Sequence, residues 1–319
     1  MSNVELVTLG ETMLRLSPLG SLRLEQAAQL EMNFGGSESN LAINLARMGK
    51  RVAWYSRLPD NPLGQQCAAS IRKQGVDASH VTWAAGERMG LYFVEFGQGA
   101  RGIKVWYDRA GSAASRMTPA ELPLPVIEQA RWLHVSGITP ALGHNCAETV
   151  QTAVAFARAH DVTVSFDVNY RALLWAAPTA AAALMPFCQQ ADYVFVALRD
   201  AHNLFKAQGD ARQVAQALQA QWQGTVIVTN GDQGAAACDG RETVHVAAIA
   251  TTIVDRLGAG DAFASGVICR LLEDAAITDA LRFGVALATL KLTVPGDAAM
   301  VTRAEVEVLL MNQQKTLER

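Results

Sequence analysis

The chain has 319 residues and a mass of 34.2 kDa, and 50% of its residues are hydrophobic and 18% charged. A chain of this length and apolar fraction buries a large core, which excludes a disordered tail and a disulfide-stapled miniprotein. Its 27 Lys and Arg residues and 30 Asp and Glu residues leave a formal charge of −3 without any basic run. No nucleic-acid partner is therefore expected, and local arginines must bind any small anion.

The cysteines, the N-terminal segment and the longest uncharged stretch indicate the cellular compartment. Five cysteines are scattered and never form a C-x-x-C pair, as is typical of free thiols in a cytoplasmic protein. The N-terminus carries Glu5 within a short apolar stretch, which predicts a first strand and not a signal peptide. The longest uncharged stretch, residues 172–191, contains Pro178 and Pro186, so no membrane span is expected.

Apolar periodicity predicts alternating strands and helices along the chain. A strand at residues 4–10 is followed by an amphipathic helix at 37–48 that ends at Gly49, and then by a strand at 52–56. Further strands are predicted at 132–136, 162–166, 193–196 and 225–229, with helices at 146–160 and 212–221 among them. This order predicts one α/β domain over residues 1–319, with a mostly parallel sheet covered by helices on both faces.

One segment breaks this alternation. Residues 91–96 and 103–109 are alternating runs joined by a glycine-rich turn, which predicts an inserted β-hairpin. If the hairpin closes symmetrically, Tyr92 pairs with Tyr107, and both share one surface with Arg109. Two phenols and a guanidinium suit a polyhydroxylated, acidic ligand. Ordinary strand tyrosines are the alternative.

The turn at residues 97–102 reads GQGARG and matches the dinucleotide fingerprint G-x-G-x-x-G. That fingerprint requires its last glycine to open a helix, whereas strand residues follow here. The chain also lacks a P-loop, an H-E-x-x-H motif and a G-x-S-x-G elbow. Nicotinamide, zinc-enzyme and serine-hydrolase functions are therefore not supported, and no metal ligands are predicted.

The segment VDRLGAGDAF at residues 254–263 leads into an apolar helix. Gly258 and Gly260 allow a sharp turn, so that the backbone amides of 258–261, including Ala259, can form an anion hole at the helix start. Asp261 is then placed to take a proton from a substrate hydroxyl while the anion hole stabilises a transferred phosphoryl group. The alternative is that Asp261 is an ordinary N-cap.

Three other segments carry polar or glycine-rich turns. The pair Gly35 and Gly36 precedes a helix that carries Asn40, and it allows a small polar ligand to approach the backbone closely. Asn169 and Arg171 follow a predicted parallel strand, at the end where ligands of such sheets bind. The segment TNGDQG at 229–234 follows another strand and is typical of a phosphate or nucleotide loop.

These four segments, in this order and at these separations, resemble the ribokinase-like (PfkB-type) carbohydrate kinase family over nearly the whole chain. The resemblance implies an ATP- and Mg²⁺-dependent phosphotransferase with a small β lid built from residues 12–33 and 88–111, which also mediates dimerisation. It implies that Asp261 is the base, Gly258, Ala259 and Gly260 form the anion hole, and Gly35, Gly36 and Asn40 hold sugar hydroxyls. It implies nucleotide contacts from Asn169, Ala197, Thr229, Gly231, Gly234, Gly258 and Gly260.

Within the family, residues 105–115 and 166–175 are similar to segments of 2-keto-3-deoxygluconate kinases. That similarity implies that Tyr92, Tyr107, Arg109 and Arg171 bind a sugar acid and that Asp297 contacts its hydroxyls. Arginine suits this task because its planar fork binds a carboxylate bidentately. The expected reaction phosphorylates the terminal hydroxyl of 2-dehydro-3-deoxy-D-gluconate to give the 6-phosphate. The alternatives are a kinase of fructose, another ketose or another deoxyketonate, and a catalytically silent sugar-sensing homologue.

The chain departs from the family pattern at two places. Ala197 and Asp200 stand where the family usually has an N-x-x-E motif, which is tied to the ordering of magnesium and phosphate. Arg256 and Leu257 replace small hydroxyl residues before the glycine turn. Some relatives are activated by potassium through the loop that corresponds to Asp255, and the sequence leaves this property open for the present chain.

Overall fold

The computed structural model describes residues 4–97 and 101–317, and within them the chain forms fourteen β-strands and ten α-helices. The strands are β1 (Leu6–Leu9), β2 (Met13–Pro18), β3 (Leu30–Gly35), β4 (Val52–Tyr55), β5 (Arg57–Pro59), β6 (Thr82–Ala84), β7 (Leu91–Glu95), β8 (Lys104–Asp108), β9 (Trp132–Ser136), β10 (Thr163–Asp167), β11 (Tyr193–Ala197), β12 (Thr225–Thr229), β13 (Ala235–Cys238) and β14 (Thr243–Val246). The helices are α1 (Ser37–Arg47), α2 (Pro62–Arg72), α3 (Leu124–Gln129), α4 (His144–Ala159), α5 (Ala177–Gln190), α6 (Leu198–Phe205), α7 (Ala211–Trp222), α8 (Ala259–Leu271), α9 (Ile277–Leu292) and α10 (Arg303–Leu317).

An eight-stranded sheet forms the centre of the fold, in the order β14-β13-β12-β11-β10-β9-β1-β4. The strands from β12 to β4 are parallel, and β13 and β14 run antiparallel at one edge. All six strands predicted for this sheet lie in its parallel part, so the predicted fold class is confirmed. The predicted helices at 146–160 and 212–221 correspond to α4 and α7.

Strand residues alternate between two cores on opposite faces of this sheet. Leu6 and Trp132 pack on one face with α1, α2, α8 and α9. Val7 and Leu133, the next residue in each strand, pack on the other face with α4, α5 and α7. Because both faces are covered, the strands are nearly continuous apolar runs. The first face carries α1 and α8, the two helices that hold the candidate active site.

A second sheet, here called the lid sheet, has the strand order β3-β2-β7-β8. Its hairpin β7–β8 pairs Tyr92 with Tyr107 in antiparallel register, as the symmetrical closure predicts. The lid sheet arises from the two predicted insertions, except that β3 continues to Gly35. Residues 98–100 of the predicted turn lie outside the described part of the chain.

All five cysteines are free and buried, as their scattered positions predict. Across residues 4–97 and 101–317, no helix combines the length and the apolar character needed to cross a bilayer.

Candidate active site

Asp261 lies in the first turn of α8, and its carboxylate is held by α1. Ser37 Oγ donates a hydrogen bond to Asp261 Oδ1 at 2.7 Å, and Asn40 Nδ2 donates to Oδ2 at 2.7 Å. The N-cap of α8 is Gly258, and no side chain caps this helix. The interpretation of Asp261 as an ordinary N-cap is therefore wrong, since its carboxylate bonds across the helix pair instead of capping its own amides.

The pairing of α1 with α8 explains this arrangement. Ser37, Asn40 and Asn44 lie on one face of α1 because they are spaced three and four residues apart. Ser37 and Asn40 both meet Asp261, and Asn44 Nδ2 donates to Ser265 Oγ at 3.3 Å one turn further along α8. Hydrogen bonds along the crossing therefore fix the position of the Asp261 carboxylate.

The surroundings of Asp261 shift the pKa of its carboxyl group upward. Loss of solvent raises the pKa of Asp261, while the hydrogen bonds from Asn40 and Ser37 and the charge of Arg171 oppose that rise. Burial also raises the pKa of the neighbouring Asp167 to about 7. A carboxylate with a raised pKa is a stronger base once ionised, which suits proton abstraction near pH 7.

The glycine turn before α8 presents free amides. Gly258 has φ +74°, and a Cβ there would lie 1.7 Å from the carbonyl oxygen of Asp297, so no other residue fits. The described residues provide no acceptor for the N–H groups of Gly258, Gly260 and Asp261. Three free amides and the positive end of the α8 dipole therefore lie where the sequence predicts an anion hole. The fourth predicted amide, that of Ala259, instead donates to the carbonyl oxygen of Arg256 at 3.3 Å.

A cavity of about 280 Å³ lies over this turn and is called the Asp261 cavity. Its lining includes most of the residues predicted for catalysis and nucleotide binding, namely Gly258, Ala259, Gly260, Asp261, Asn169, Ala197 and Thr229. Arg171, which was predicted to bind the sugar acid, lines the same cavity. It also includes four charged residues that were not predicted as site residues: Asp167, Arg199, Asp200 and Arg256. The carboxyl ends of β10, β11 and β12 deliver the polar residues because parallel strands end at one edge of the sheet.

A second polar cluster lies between the lid sheet and the loop after α9. Tyr92 Oη donates to Asp297 Oδ2 at 3.0 Å, and Arg15 Nη1 donates to the same oxygen at 2.9 Å. All three side chains are buried. A Cβ on Gly35 would lie 2.3 Å from Tyr92 Oη, so this glycine permits the close approach of the cluster to β3. Burial raises the pKa of Asp297, which the charge of Arg15 opposes.

Arg109 stands beside this cluster, and its charge is already matched. Tyr92 and Tyr107 stack with ring centroids 5.9 Å apart, and Arg109 Cζ lies 5.7 Å from the Tyr107 ring centroid. The predicted shared surface of these three residues is therefore confirmed. Arg109 Nε also donates to Oε2 of the buried Glu11 at 2.8 Å.

Residues 3–304 match the pfkB family of carbohydrate kinases. The chain belongs to this family. It is 39% identical over 316 residues to a 2-dehydro-3-deoxygalactonokinase of Haloferax volcanii, covering 99% of each chain. It is 28% identical over 318 residues to a 2-dehydro-3-deoxygluconokinase of Bacillus subtilis, covering 99% of this chain and 98% of the relative. The crystal structure of a 2-dehydro-3-deoxygluconokinase from Thermotoga maritima matches with a TM-score of 0.90 and 32% identity, over 97% of this chain and 98% of that one.

This PfkB kinase is a sugar kinase, and its fold is ribokinase-like. Two predicted nucleotide residues do not line the Asp261 cavity: Gly231 and Gly234 form the tight turn between β12 and β13. A Cβ on Gly234 would lie 2.0 Å from the carbonyl oxygen of Val246, so strand packing already requires this glycine. Their contact with a nucleotide stays a prediction.

Sequence reasoning missed several residues of this PfkB kinase. Arg15 reads as one polar position in an alternating strand, and nothing in its spacing indicates that it meets Asp297 across 282 residues. Glu11 and Ser37 were missed for the same reason. Glu11 gave a weak signal, because a charged residue directly after a buried strand needs an ion-pair or hydrogen-bond partner.

Proposed function

We propose that this PfkB kinase transfers the γ-phosphoryl group of ATP to the terminal hydroxyl of 2-dehydro-3-deoxy-D-gluconate, giving the 6-phosphate and ADP. The observation that supports phosphoryl transfer is the Asp261 carboxylate, held by Ser37 and Asn40 beside three free amides of one anion hole. A second acceptor is the C4 epimer, 2-dehydro-3-deoxy-D-galactonate, which the 39% identity to a kinase of that name favours.

In this mechanism the ionised Asp261 carboxylate accepts the proton of the terminal hydroxyl while the hydroxyl oxygen forms a bond to the γ-phosphorus. The bond from that phosphorus to the bridging oxygen breaks, and the electron pair leaves with ADP. The amides of Gly258, Gly260 and Asp261 donate to the phosphoryl oxygens as charge develops on them. No reorganisation of the anion hole is needed, because Gly258 and its packing against Asp297 fix the turn beforehand.

The nucleotide side of the Asp261 cavity fits a charged triphosphate. Asn169, Ala197 and Thr229 line it at the ends of successive strands, and the exposed side chain of Arg256 adds positive charge. Arg199 also lines it, but its guanidinium is ion-paired with Asp200. Arginine binds phosphate oxygens through its planar fork. Gly231 and Gly234 would contact the nucleoside end, beyond the cavity.

The residues also fit a Mg²⁺ ion that arrives with the nucleotide. No cluster of three or more metal-binding side chains occurs within residues 4–97 and 101–317. Mg²⁺ usually uses one or two carboxylates together with substrate phosphates, and Asp200 and Asp167, which line the cavity, would supply them. When bound, the ion would neutralise charge on the phosphates. Asp200 supplies a carboxylate where the family motif has a glutamate.

The sugar acid would lie between the Asp261 cavity and the lid sheet. We assign hydroxyl contacts to the buried pair Tyr92 and Asp297, with Tyr107 and the Gly35, Gly36 and Asn40 turn around them. Two arginines are candidates for the carboxylate. Arg109 is ion-paired with Glu11, whereas the exposed Arg171 has no salt-bridge partner among the described residues. Of the two arginines, Arg171 is therefore the one whose positive charge is not already neutralised by a carboxylate, and we assign the substrate carboxylate to it.

A coupled assay of ADP release tests this proposal. The panel contains 2-dehydro-3-deoxy-D-gluconate, its galactonate epimer, 5-dehydro-2-deoxy-D-gluconate and fructose. We expect the largest kcat/KM for one of the first two acids and little turnover of fructose. Preferred turnover of fructose would overturn the acid assignment, and binding of an acid without ADP release would indicate a silent sensor.

The outer face of the lid sheet supports dimerisation, which we also propose. Residues Met32, Leu16, Phe93 and Trp106 are cross-strand neighbours in register and form one apolar row. Met32 and Trp106 are 46% and 44% exposed, respectively. A second copy of the chain would cover this row. Trp106→Glu should convert a dimer to a monomer in sedimentation velocity, and a wild-type monomer at micromolar concentration would contradict the proposal.

We place the enzyme in the cytoplasm, where ATP is available and where five free, buried cysteines stay reduced.

A further inference from the structure

Lys291 lies near the C-terminal end of α9, and its side chain is fully buried. Its Nζ donates to the carbonyl oxygen of Asp255 at 3.0 Å and to that of Val294 at 3.4 Å. The described residues provide no carboxylate at salt-bridge distance from this ammonium. Burial lowers the pKa of Lys291, while the nearby Asp255 and Asp297 carboxylates oppose that change. A buried ammonium is costly, so carbonyl dipoles and nearby acids must compensate for it.

The two carbonyl groups belong to the two loops that shape the anion hole. Asp255 starts the loop that reaches Gly258, and its Oδ1 accepts a hydrogen bond from Leu257 N at 2.9 Å. Its Oδ2 accepts from Gly296 N at 3.0 Å, in the loop after α9. That second loop includes Asp297, whose carbonyl oxygen packs against Gly258. Lys291 therefore connects the two loops through its hydrogen bonds to the carbonyl oxygens of Asp255 and Val294.

The family resemblance leaves open whether a potassium ion binds at the loop that contains Asp255. The carbonyl oxygen of Asp255 is a cation ligand by its chemistry, and here Lys291 Nζ already occupies the position next to it. A second cation close to this ammonium would meet like-charge repulsion in a site without solvent. The residues present therefore do not fit a potassium ion at this carbonyl.

We propose that the Lys291 ammonium is a built-in cation that holds the Asp255–Gly258 loop in the shape of the anion hole, so that this kinase needs no added monovalent cation. Lys291 is a positioning residue, because it acts through backbone carbonyls and not on the substrate. The inference rests on the proposed phosphoryl transfer for its kinetic test and on loop geometry for its structural test.

The kinetic test compares wild type, Lys291→Ala and Lys291→Met in about 100 mM potassium, ammonium or tetramethylammonium chloride, which keeps screening constant. Wild type should have the same kcat in all three salts. Lys291→Ala should lose about 10²-fold in kcat in tetramethylammonium, because the anion hole is displaced. It should recover about tenfold or more in ammonium or potassium, which can enter the vacated space. Lys291→Met should stay slow in every salt, since its side chain fills that space.

The structural test does not depend on turnover. Amide hydrogen exchange of residues 254–261 should be faster in Lys291→Met than in wild type, and ammonium should raise the melting temperature of Lys291→Ala relative to tetramethylammonium. Lys73→Met, on the exposed end of α2, controls for loss of a lysine and should change neither readout.

Three outcomes overturn the inference: strong activation of wild type by potassium, wild-type kcat and exchange in Lys291→Met, or failure of Lys291→Ala to fold in every salt. Failure of the proposed function is distinct from these. It would appear as wild type releasing no ADP with any sugar, while the exchange and melting measurements still decide the role of Lys291.

Discussion

Asn40 Nδ2 donates a 2.7 Å hydrogen bond to Oδ2 of Asp261, across 221 residues of sequence. Ser37 binds the other carboxylate oxygen, so the first turn of α1 holds both oxygens of the candidate base. Asn169 Nδ2 in turn donates to Ser37 Oγ at 2.7 Å. The base, the turn that follows Gly35 and Gly36, and the strand end that carries Asn169 therefore form one hydrogen-bonded unit.

Replacement of the base tests the centre of this unit. Asp261→Asn keeps the size of the side chain and removes the proton acceptor, so we expect kcat to fall by about 10²- to 10⁴-fold. ATP and sugar should still bind, as measured by isothermal titration calorimetry. A kcat within threefold of wild type would contradict the assignment of Asp261 as base.

Removal of a donor should move the pH profile. Asn40 lowers the pKa of Asp261, so Asn40→Ala should raise that pKa further. Because the base must be ionised, kcat/KM rises with pH through this pKa, and its acid limb should shift to higher pH in the variant. Ser39→Ala is the matched control, since Ser39 lies in the same turn but bonds to Gly36 O. An unchanged acid limb in Asn40→Ala would show that Asp261 does not control the profile.

Arg171 tests the carboxylate contact. Arg171→Ala should raise KM for the sugar acid about 10- to 100-fold, as expected for loss of a charge-assisted hydrogen bond of about 1.5–3 kcal/mol. KM for ATP should change less. Arg212→Ala removes an exposed arginine on α7 and should behave like wild type. If Arg171→Ala instead weakens ATP binding alone, Arg171 serves the phosphates.

Substitutions at two glycines with positive φ distinguish the stability cost of backbone strain from the cost of a steric clash. Gly49 has φ +86° and free space around a Cβ, whereas Gly258 has φ +74° and the Asp297 carbonyl oxygen in the way. Gly49→Ala should cost about 1–2 kcal/mol of unfolding free energy, from strain alone. Gly258→Ala should cost more and should also lower kcat, because the clash displaces the anion hole. Equal losses in urea unfolding of the two variants would contradict the packing argument.

Glu38 gives the protein a pH-dependent stability. Ser136 Oγ and Thr139 Oγ1 donate to its Oε1 at 2.7 and 3.0 Å, and burial raises its pKa from 4.5 to about 7. A carboxyl with a raised folded-state pKa stabilises the protein below pH 4.5, and this contribution is lost as pH rises to about 7.

Glu38→Gln removes this titration. Unfolding free energy of wild type should fall relative to Glu38→Gln as pH rises through that window, by up to about 3 kcal/mol. Urea unfolding at a series of pH values measures the difference. Glu31→Gln, at an exposed position of β3, should stay parallel to wild type. A wild-type curve parallel to that of Glu38→Gln would show that Glu38 does not titrate in this range.

The predictable part of the structure was the part that depends on neighbours in sequence. The hairpin register of Tyr92 and Tyr107 followed from alternation and a central turn, and the turn at Gly258 followed from glycines before an apolar helix. The N-cap alternative for Asp261 failed because its partners lie on α1, which no local pattern specifies. Arg109 was predicted to bind a sugar acid, and only the fold brings Glu11 to its guanidinium.

The sequence by itself determined a two-faced parallel sheet, an inserted hairpin and a glycine turn at the start of α8, because periodicity and backbone freedom are properties of short segments. Tertiary structure alone decided which charges are matched. Asp297 meets Arg15, Arg109 meets Glu11, and Lys291 is buried beneath the Asp255 loop. Those pairings depend on how α1, α8, α9 and the lid sheet pack, because the partner of a buried charge comes from a segment that is distant in sequence.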